Sequence, residues 1–210
     1  MKQFLVVDDH PMMQISLQLL LKEIFEGCNV HMTASFQDSL ARLDETNIDL
    51  IVLDLGIPGS AGVDMIKQLR ERQPEVRILV FSARDESMNA PIYLRAGANG
   101  FLHKMSSQDE IRTALKTVIN DKKYVSSQLQ AQMLEALTSN KAIDANSYDG
   151  LSPREKEVLH KMLDGDTIKE ISESLRMKQS TVSTYKERIM QKMEATNIVD
   201  LVRKTLWYID

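Results

Sequence analysis

Residues 4 to 11 read FLVVDDHP, and this stretch decides the fold of the first half of the chain. Four consecutive apolar residues form a strand with both faces buried, as in a parallel sheet covered by helices. Two adjacent carboxylates, Asp8 and Asp9, follow it, and a helix starts at His10-Pro11, because proline suits a first helical position. Either aspartate alone would serve as a capping acid for that helix. Side by side the two repel each other, so a compensating partner is required at the end of the strand.

Outward from this stretch the pattern repeats. Apolar runs at QFLVV (3 to 7), LIVLDL (50 to 55) and ILVF (78 to 81), with weaker ones at NVHMTA (29 to 34) and GFLH (100 to 103), predict five strands. Segments of helical period separate them at 11 to 26, 36 to 46, 62 to 73, the high eighties to 96, and 107 to 120. Five such βα units predict a doubly wound α/β domain with a five-stranded parallel sheet, covering residues 1–121. Pro91 falls where the fourth helix would be under way, so that helix is expected to start late, near Asn89 to Pro91, or to be irregular.

In sheets of this kind ligands gather outside the carboxyl ends of the strands. Those ends carry Asp8 and Asp9, then Asp54 within LIVLDLGIPG, Ser82 after ILVF, and Lys104 after GFLH. A third carboxylate converging on the pair makes a cluster for a hard divalent cation, and Mg²⁺ suits it best. With the cation in place, Asp54 can attack phosphorus while Lys104 neutralises phosphoryl oxygens and the Ser82 hydroxyl donates a further hydrogen bond. His10 and His103 flank these positions and are taken as structural. Phe101 has plain core packing as its alternative role.

Composition limits the function classes. The chain has 210 residues and is 43% hydrophobic, ordinary for a globular protein. No apolar run approaches the roughly 18 residues that span a bilayer, and the start MKQFLVVDD lacks a signal peptide's apolar region, so no membrane role and a cytoplasmic location are expected. The single cysteine, Cys28, agrees with a reducing compartment and is assigned to packing. Residues 1 to 124 carry 14 Lys/Arg against 17 Asp/Glu, and residues 151 to 210 carry 11 against 10. Any contact with nucleic acid must therefore come from a local arrangement of charge.

Residues 122–150 change character, with a helix expected at 126–138 bearing Leu129, Met133, Leu134 and Leu137 on one stripe, then a polar tether KAIDANSYDG. From 151 to 210 helix punctuation is dense. Ser152, Pro153 and Glu155 form a capping box, Gly165 is a helix stop, and Thr167 with Glu170 forms a second box. The third helix places Val182, Ile189 and Met193 on one face, and NIVDLVRKTLWYI closes a four-helix, helix-turn-helix unit. Between 178 and 192 that third helix holds Lys178, Lys186, Arg188 and Lys192 against Glu187 alone. Ser183, Thr184 and Glu187 face away from the core and could meet base edges, while the cations, with Ser180 and Thr181, could hold phosphates. A solvated basic face is the alternative for this helix on its own.

The combination of DDHP, LIVLDLGIPG, Ser82-Ala83, Phe101 and Lys104 resembles the receiver domain of bacterial two-component response regulators, a flavodoxin-like fold. LSPREKEVL, KEISESL and TVSTYKERIMQKM resemble the LuxR/NarL (GerE-type) helix-turn-helix DNA-binding domain, and STYK resembles the BvgA/EvgA branch. The resemblance implies that a sensor histidine kinase or its phosphotransfer domain phosphorylates Asp54. It further implies Mg²⁺ held by Asp8, Asp9, Asp54 and the Gly56 carbonyl, with Ser82 and Phe101 as switch residues. The partners implied are double-stranded promoter DNA and a second copy of the chain, paired through the last helix, where Leu201, Val202, Leu206 and Trp207 are the candidates. Those four would serve equally well as core. Many receivers place proline after the lysine; here Met105 follows Lys104, which leaves the loop geometry open. Two rivals stand beside this assignment: an aspartate-dependent phosphatase, which the absence of a D-x-D motif at Asp8-Asp9 and of a substrate pocket in the C-terminal helices opposes, and a phosphorylation-independent regulator whose receiver only dimerises.

Overall fold

A computed structural model describes residues 1–59, 62–138, 148 and 150–205. The chain divides into two compact units, Met1–Glu86 with Tyr93–Ser126, and Ser87–Ile92 with the residues from Ser127 onward.

In the first unit, strands β1 (Gln3–Val7), β2 (Asn29–Thr33), β3 (Leu50–Leu53), β4 (Arg77–Ser82) and β5 (Gly100–His103) form one parallel sheet in the order β2-β1-β3-β4-β5. Helices α1 (Pro11–Ile24), α2 (Phe36–Glu45), α3 (Asp64–Arg72) and α5 (Gln108–Ile119) connect and follow the strands, and α4 (Glu86–Arg95) follows β4 with its residues Ser87–Ile92 counted in the second unit. Side chains alternate across the sheet. Phe4, Val6, Leu50, Val52, Leu79 and Phe81 pack with Leu17 and Leu21 of α1 and with Leu115 and Val118 of α5. The alternate residues Leu5, Val7, Ile51, Leu53, Ile78 and Val80 are equally buried on the other face. Cys28 packs against the first of these clusters, as the sequence suggested. β2 lies at the sheet edge and is only partly buried, which is why its run of sequence is mixed.

The fourth helix corrects an expectation. α4 begins at Glu86, ahead of Asn89, and runs through Pro91 to Arg95. Pro91 has no amide to offer the Ser87 carbonyl, and its neighbours Ala90, Ile92 and Tyr93 are buried, so packing favours the helix against the proline penalty.

The second unit holds α6 (Ser127–Thr138), α7 (Pro153–Leu163), α8 (Ile168–Ser174), α9 (Gln179–Lys192) and α10 (Ile198–Thr205). Both capping boxes are formed, Ser152 with Glu155 and Thr167 with Glu170. Between α8 and α9 the chain turns tightly through Arg176 at φ 53°, and α9 packs on both α7 and α8 through Val182 and Ile189. α6 packs against α10. On α6, Leu129 is buried but Leu134 is 61% exposed, so Leu134 leaves the stripe expected of it.

Every described side chain of α10 is buried, Lys204 included, whose ammonium donates to the Met193 and Glu194 carbonyls at 2.9 Å each. Leu201 and Val202 are therefore core residues of the unit, the alternative that stood beside their pairing role. Leu206 and Trp207 lie outside the described residues, as does most of the polar tether. No helix among the described residues is long and apolar enough to cross a membrane.

Candidate functional site

The sheet register builds the acidic cluster. Val7 of β1 pairs with Leu53 of β3, and one residue further the Asp54 amide donates to the Val7 carbonyl at 2.8 Å while the Asp8 amide donates to Thr33 at 3.1 Å. The two carboxylates that follow these strands thus emerge side by side, with Asp8 1% and Asp54 5% exposed. Gln14 of α1 reinforces this by donating to the carbonyls of Asp8 and Thr33, a support the sequence did not reveal.

Lys104 supplies the compensating charge. Its amide donates to the Ser82 carbonyl at 2.9 Å, and its ammonium reaches Asp8 Oδ2 at 2.7 Å and Asp54 Oδ2 at 2.9 Å. Burial alone would lower the Lys104 pKa, but hydrogen bonds and charge attraction from Asp8 and Asp54 outweigh it and hold the ammonium above its ordinary range. The lysine therefore stays charged throughout the physiological range.

The loop carrying Lys104 needs no proline and has no cis bond. The Met105 amide donates to His103 Nδ1 at 3.1 Å, so the ring proton sits on Nε2, 3.2 Å from the Ala83 carbonyl. His103 is thus a structural clamp, consistent with its assignment. Ser82 stands at the end of β4, where its Oγ accepts the Arg84 amide at 3.2 Å. Phe101 is fully buried, with the Tyr93 ring of α4 tilted against it at 6.4 Å between ring centroids. Tyr93 escaped the sequence reading because an aromatic in a helix carries no signal beyond packing.

Asp54, Gly56, Ser82 and Lys104 line one open pocket, with His10 and Met12 also in its wall. Ligand atoms of Asp8, Asp9, His10 and Asp54 all lie within 4.8 Å of one another, close enough to share one metal ion. Three of the four donors are carboxylate oxygens, the set that hard divalent cations accept.

The second candidate site is the outer face of α9. Lys178, Ser180, Thr181, Thr184, Glu187, Arg188 and Lys192 are exposed there, while Ser183 and Lys186 are partly covered. Ser180, Thr181, Thr184 and Arg188 line a shallow groove together with Tyr185, which the sequence reading had not singled out. Ser183 and Thr184 hydroxyls donate back to the Gln179 and Ser180 carbonyls, so they present oxygen lone pairs outward. Lys192 is committed within its own unit. Its ammonium is held by Glu155 at 2.7 Å and by the Gly150 carbonyl at 3.2 Å.

Comparisons with known proteins agree with this geometry. The response regulator receiver domain matches residues 4–116, and the luxR family of bacterial regulatory proteins matches residues 149–205. The transcription regulator BvgA of Bordetella pertussis is 34% identical over 94% of this chain and 93% of its own. The DNA-binding transcriptional activator EvgA of Escherichia coli is 30% identical over 94% of each. Among solved structures, RcsB of Salmonella enterica serovar Typhimurium, bound to a promoter with the phosphomimetic BeF₃⁻, matches at a TM-score of 0.63 with 23% identity over 97% of both chains. That likeness speaks to the fold. With both domains and the full-length relatives in agreement, the chain belongs to the two-component response regulators of the NarL/FixJ family, a receiver followed by a LuxR-type DNA-binding domain.

Proposed function

We propose that this regulator is switched by Mg²⁺-dependent phosphorylation of Asp54, and that the phosphorylated form pairs on promoter DNA through two copies of its helix-turn-helix unit. The observation that carries this is the Lys104 bridge to Asp8 and Asp54 inside an open pocket. A buried nucleophile, a cation beside it and access from solvent are together what acceptance of a phosphoryl group requires.

Asp8, Asp9 and Asp54, with the Gly56 carbonyl, would hold Mg²⁺. When bound, the ion supplies positive charge that offsets the repulsion between carboxylates and phosphoryl oxygens. Asp54 attacks phosphorus, an O–P bond forms, and the bond from phosphorus to the donor imidazole breaks, with the imidazole keeping the electron pair. Lys104 then pairs with a phosphoryl oxygen in place of the Asp54 carboxylate. The Ser82 oxygen accepts the Arg84 amide, which leaves its proton to donate to another phosphoryl oxygen. Phe101 shares the strand pair with Ser82 and follows it as the switch aromatic.

The phosphodonor is a histidine kinase or its phosphotransfer domain. Met12, Ile15 and Leu19 are exposed on α1, next to His10 at the pocket wall, and give such a donor an apolar surface to rest on. DNA as the target places the protein's work in the cytoplasm. Beyond this self-phosphorylation and its reversal the chain is not an enzyme.

The test is intact-protein mass after incubation with acetyl phosphate and Mg²⁺, for wild type and Asp54→Ala, with binding to promoter fragments followed on the same samples. A single phosphate that needs both Mg²⁺ and Asp54, with tighter DNA binding, is the expected result. DNA binding that persists unchanged, with no phosphate from acetyl phosphate or from purified phosphotransfer partners, would make the receiver a dimerisation module instead.

A further inference from the structure

His10 precedes Pro11, and a residue before proline is driven to extended backbone. Its φ of −97° and ψ of 107° obey that restriction, and its amide donates to Asp8 Oδ1 at 2.9 Å. The backbone therefore starts the side chain beside the carboxylates, and the imidazole turns onto them. There Nδ1 lies 2.7 Å from Asp9 Oδ1 and 3.1 Å from Asp8 Oδ1. At these distances the nitrogen is hydrogen-bonded to both carboxylates, which holds it beside the oxygens that would bind a cation. The same nitrogen falls within the 4.8 Å group that includes Asp54. With the side chain 71% exposed, water can reach the ring and partner its other nitrogen.

We infer that His10 is itself a ligand of the cation site through Nδ1, giving the site a mixed oxygen and nitrogen donor set that favours first-row transition ions over Mg²⁺, an inference resting on the assignment of the acidic cluster as a cation site. The chemistry sets the direction. Imidazole nitrogen binds transition ions well, whereas Mg²⁺ prefers oxygen and retains water. Losing His10 should weaken Mn²⁺ more than Mg²⁺, and Ni²⁺ more than either. Kinase, promoter and phosphate are not needed to see this.

Mn²⁺ alone, added to the full chain and observed by pulsed electron paramagnetic resonance, provides the test. In wild type the echo should carry imidazole ¹⁴N modulation, and in His10→Gln it should lose it. Mn²⁺ affinity should fall about tenfold in His10→Gln, with a smaller change for Mg²⁺. Because His10 is exposed at a helix start, the variant keeps its fold, which circular dichroism checks. Mn²⁺ that binds in wild type and is lost in Asp9→Asn, but shows no nitrogen modulation, would reduce His10 to an ion-pair partner and leave the carboxylate site standing. Equal losses of Mn²⁺ and Mg²⁺ in His10→Gln would overturn the selectivity. Mn²⁺ that binds wild type no better than Asp9→Asn would overturn both the inference and the cation site on which it rests.

Discussion

Gly56 acts through the side chain it lacks. A Cβ at this position would stand 3.3 Å from Asp54 Oδ2, so glycine leaves that side of the phosphoryl site open to water. The wild-type phosphoprotein should therefore lose its phosphate quickly. Gly56→Met, by covering the approach of water, should slow that loss several-fold in a decay followed by intact mass. Identical decay curves would remove Gly56 from control of the lifetime. Glu155 is the corresponding single residue in the second unit. Burial pushes its carboxyl up, but the Lys192 ammonium and the Ser152 amide and hydroxyl outweigh burial and hold it below the ordinary glutamate range. A depressed carboxyl contributes stability above its unfolded pKa of about 4.3, and that contribution fades as pH falls through the lower folded value. Lys192→Met should thus lower the melting temperature most at neutral pH, and the gap to wild type should narrow in acid. A gap of constant size would mean that Lys192 stabilises only by packing.

At the scale of elements, β1, β3 and β4 are legible because their runs are apolar at consecutive positions, and the strand ends alone then bring Asp8, Asp54, Ser82 and Lys104 to one edge. The start of α4 is not legible, since a local proline penalty says nothing of the buried Ala90 and Tyr93 that override it. Side-chain partners are the other blind spot. Nothing in the basic run of α9 shows that Lys192 is committed to Glu155, which lies 37 residues earlier. This difference among the cations of α9 has a measurable effect. Arg188 lines the outer groove and should contact phosphate, so Arg188→Ala should reduce the salt slope of DNA binding by about one, whereas Lys192→Met should leave that slope unchanged. Equal slopes for the two variants would contradict this division. α6 and α10 form a second coupled pair. With every described side chain of α10 covered and α6 packed on it, pairing of two copies through the last helix requires α6 to give way. Leu129 is 2% exposed on α6, and Leu129→Ala should loosen that helix and raise the dimer fraction of unphosphorylated protein in sedimentation. A variant that unfolds less stably yet stays as monomeric as wild type would show that α6 does not restrain pairing.

For the whole molecule, the phosphoryl site and the α9 face belong to different units, so any effect of one on the other is a coupling free energy. Such coupling must be reciprocal: a phosphoryl group that tightens DNA binding by a given factor obliges DNA to favour the phosphoryl state by that same factor. Covalent phosphate obscures this, because its lifetime mixes with equilibrium. BeF₃⁻ with Mg²⁺ binds reversibly at an aspartate and so allows both directions to be measured. Promoter DNA affinity of the full chain should rise with BeF₃⁻ by about 5- to 150-fold, the usual range for coupled sites. The apparent BeF₃⁻ affinity, measured at saturating promoter DNA, should rise by an equal factor once both are expressed per dimer. Asp54→Ala should abolish both gains together, since it removes the residue to which BeF₃⁻ attaches. A rise in DNA affinity without a matching rise for BeF₃⁻ would show that the anion acts at a second place, and Asp54 would no longer account for the switch.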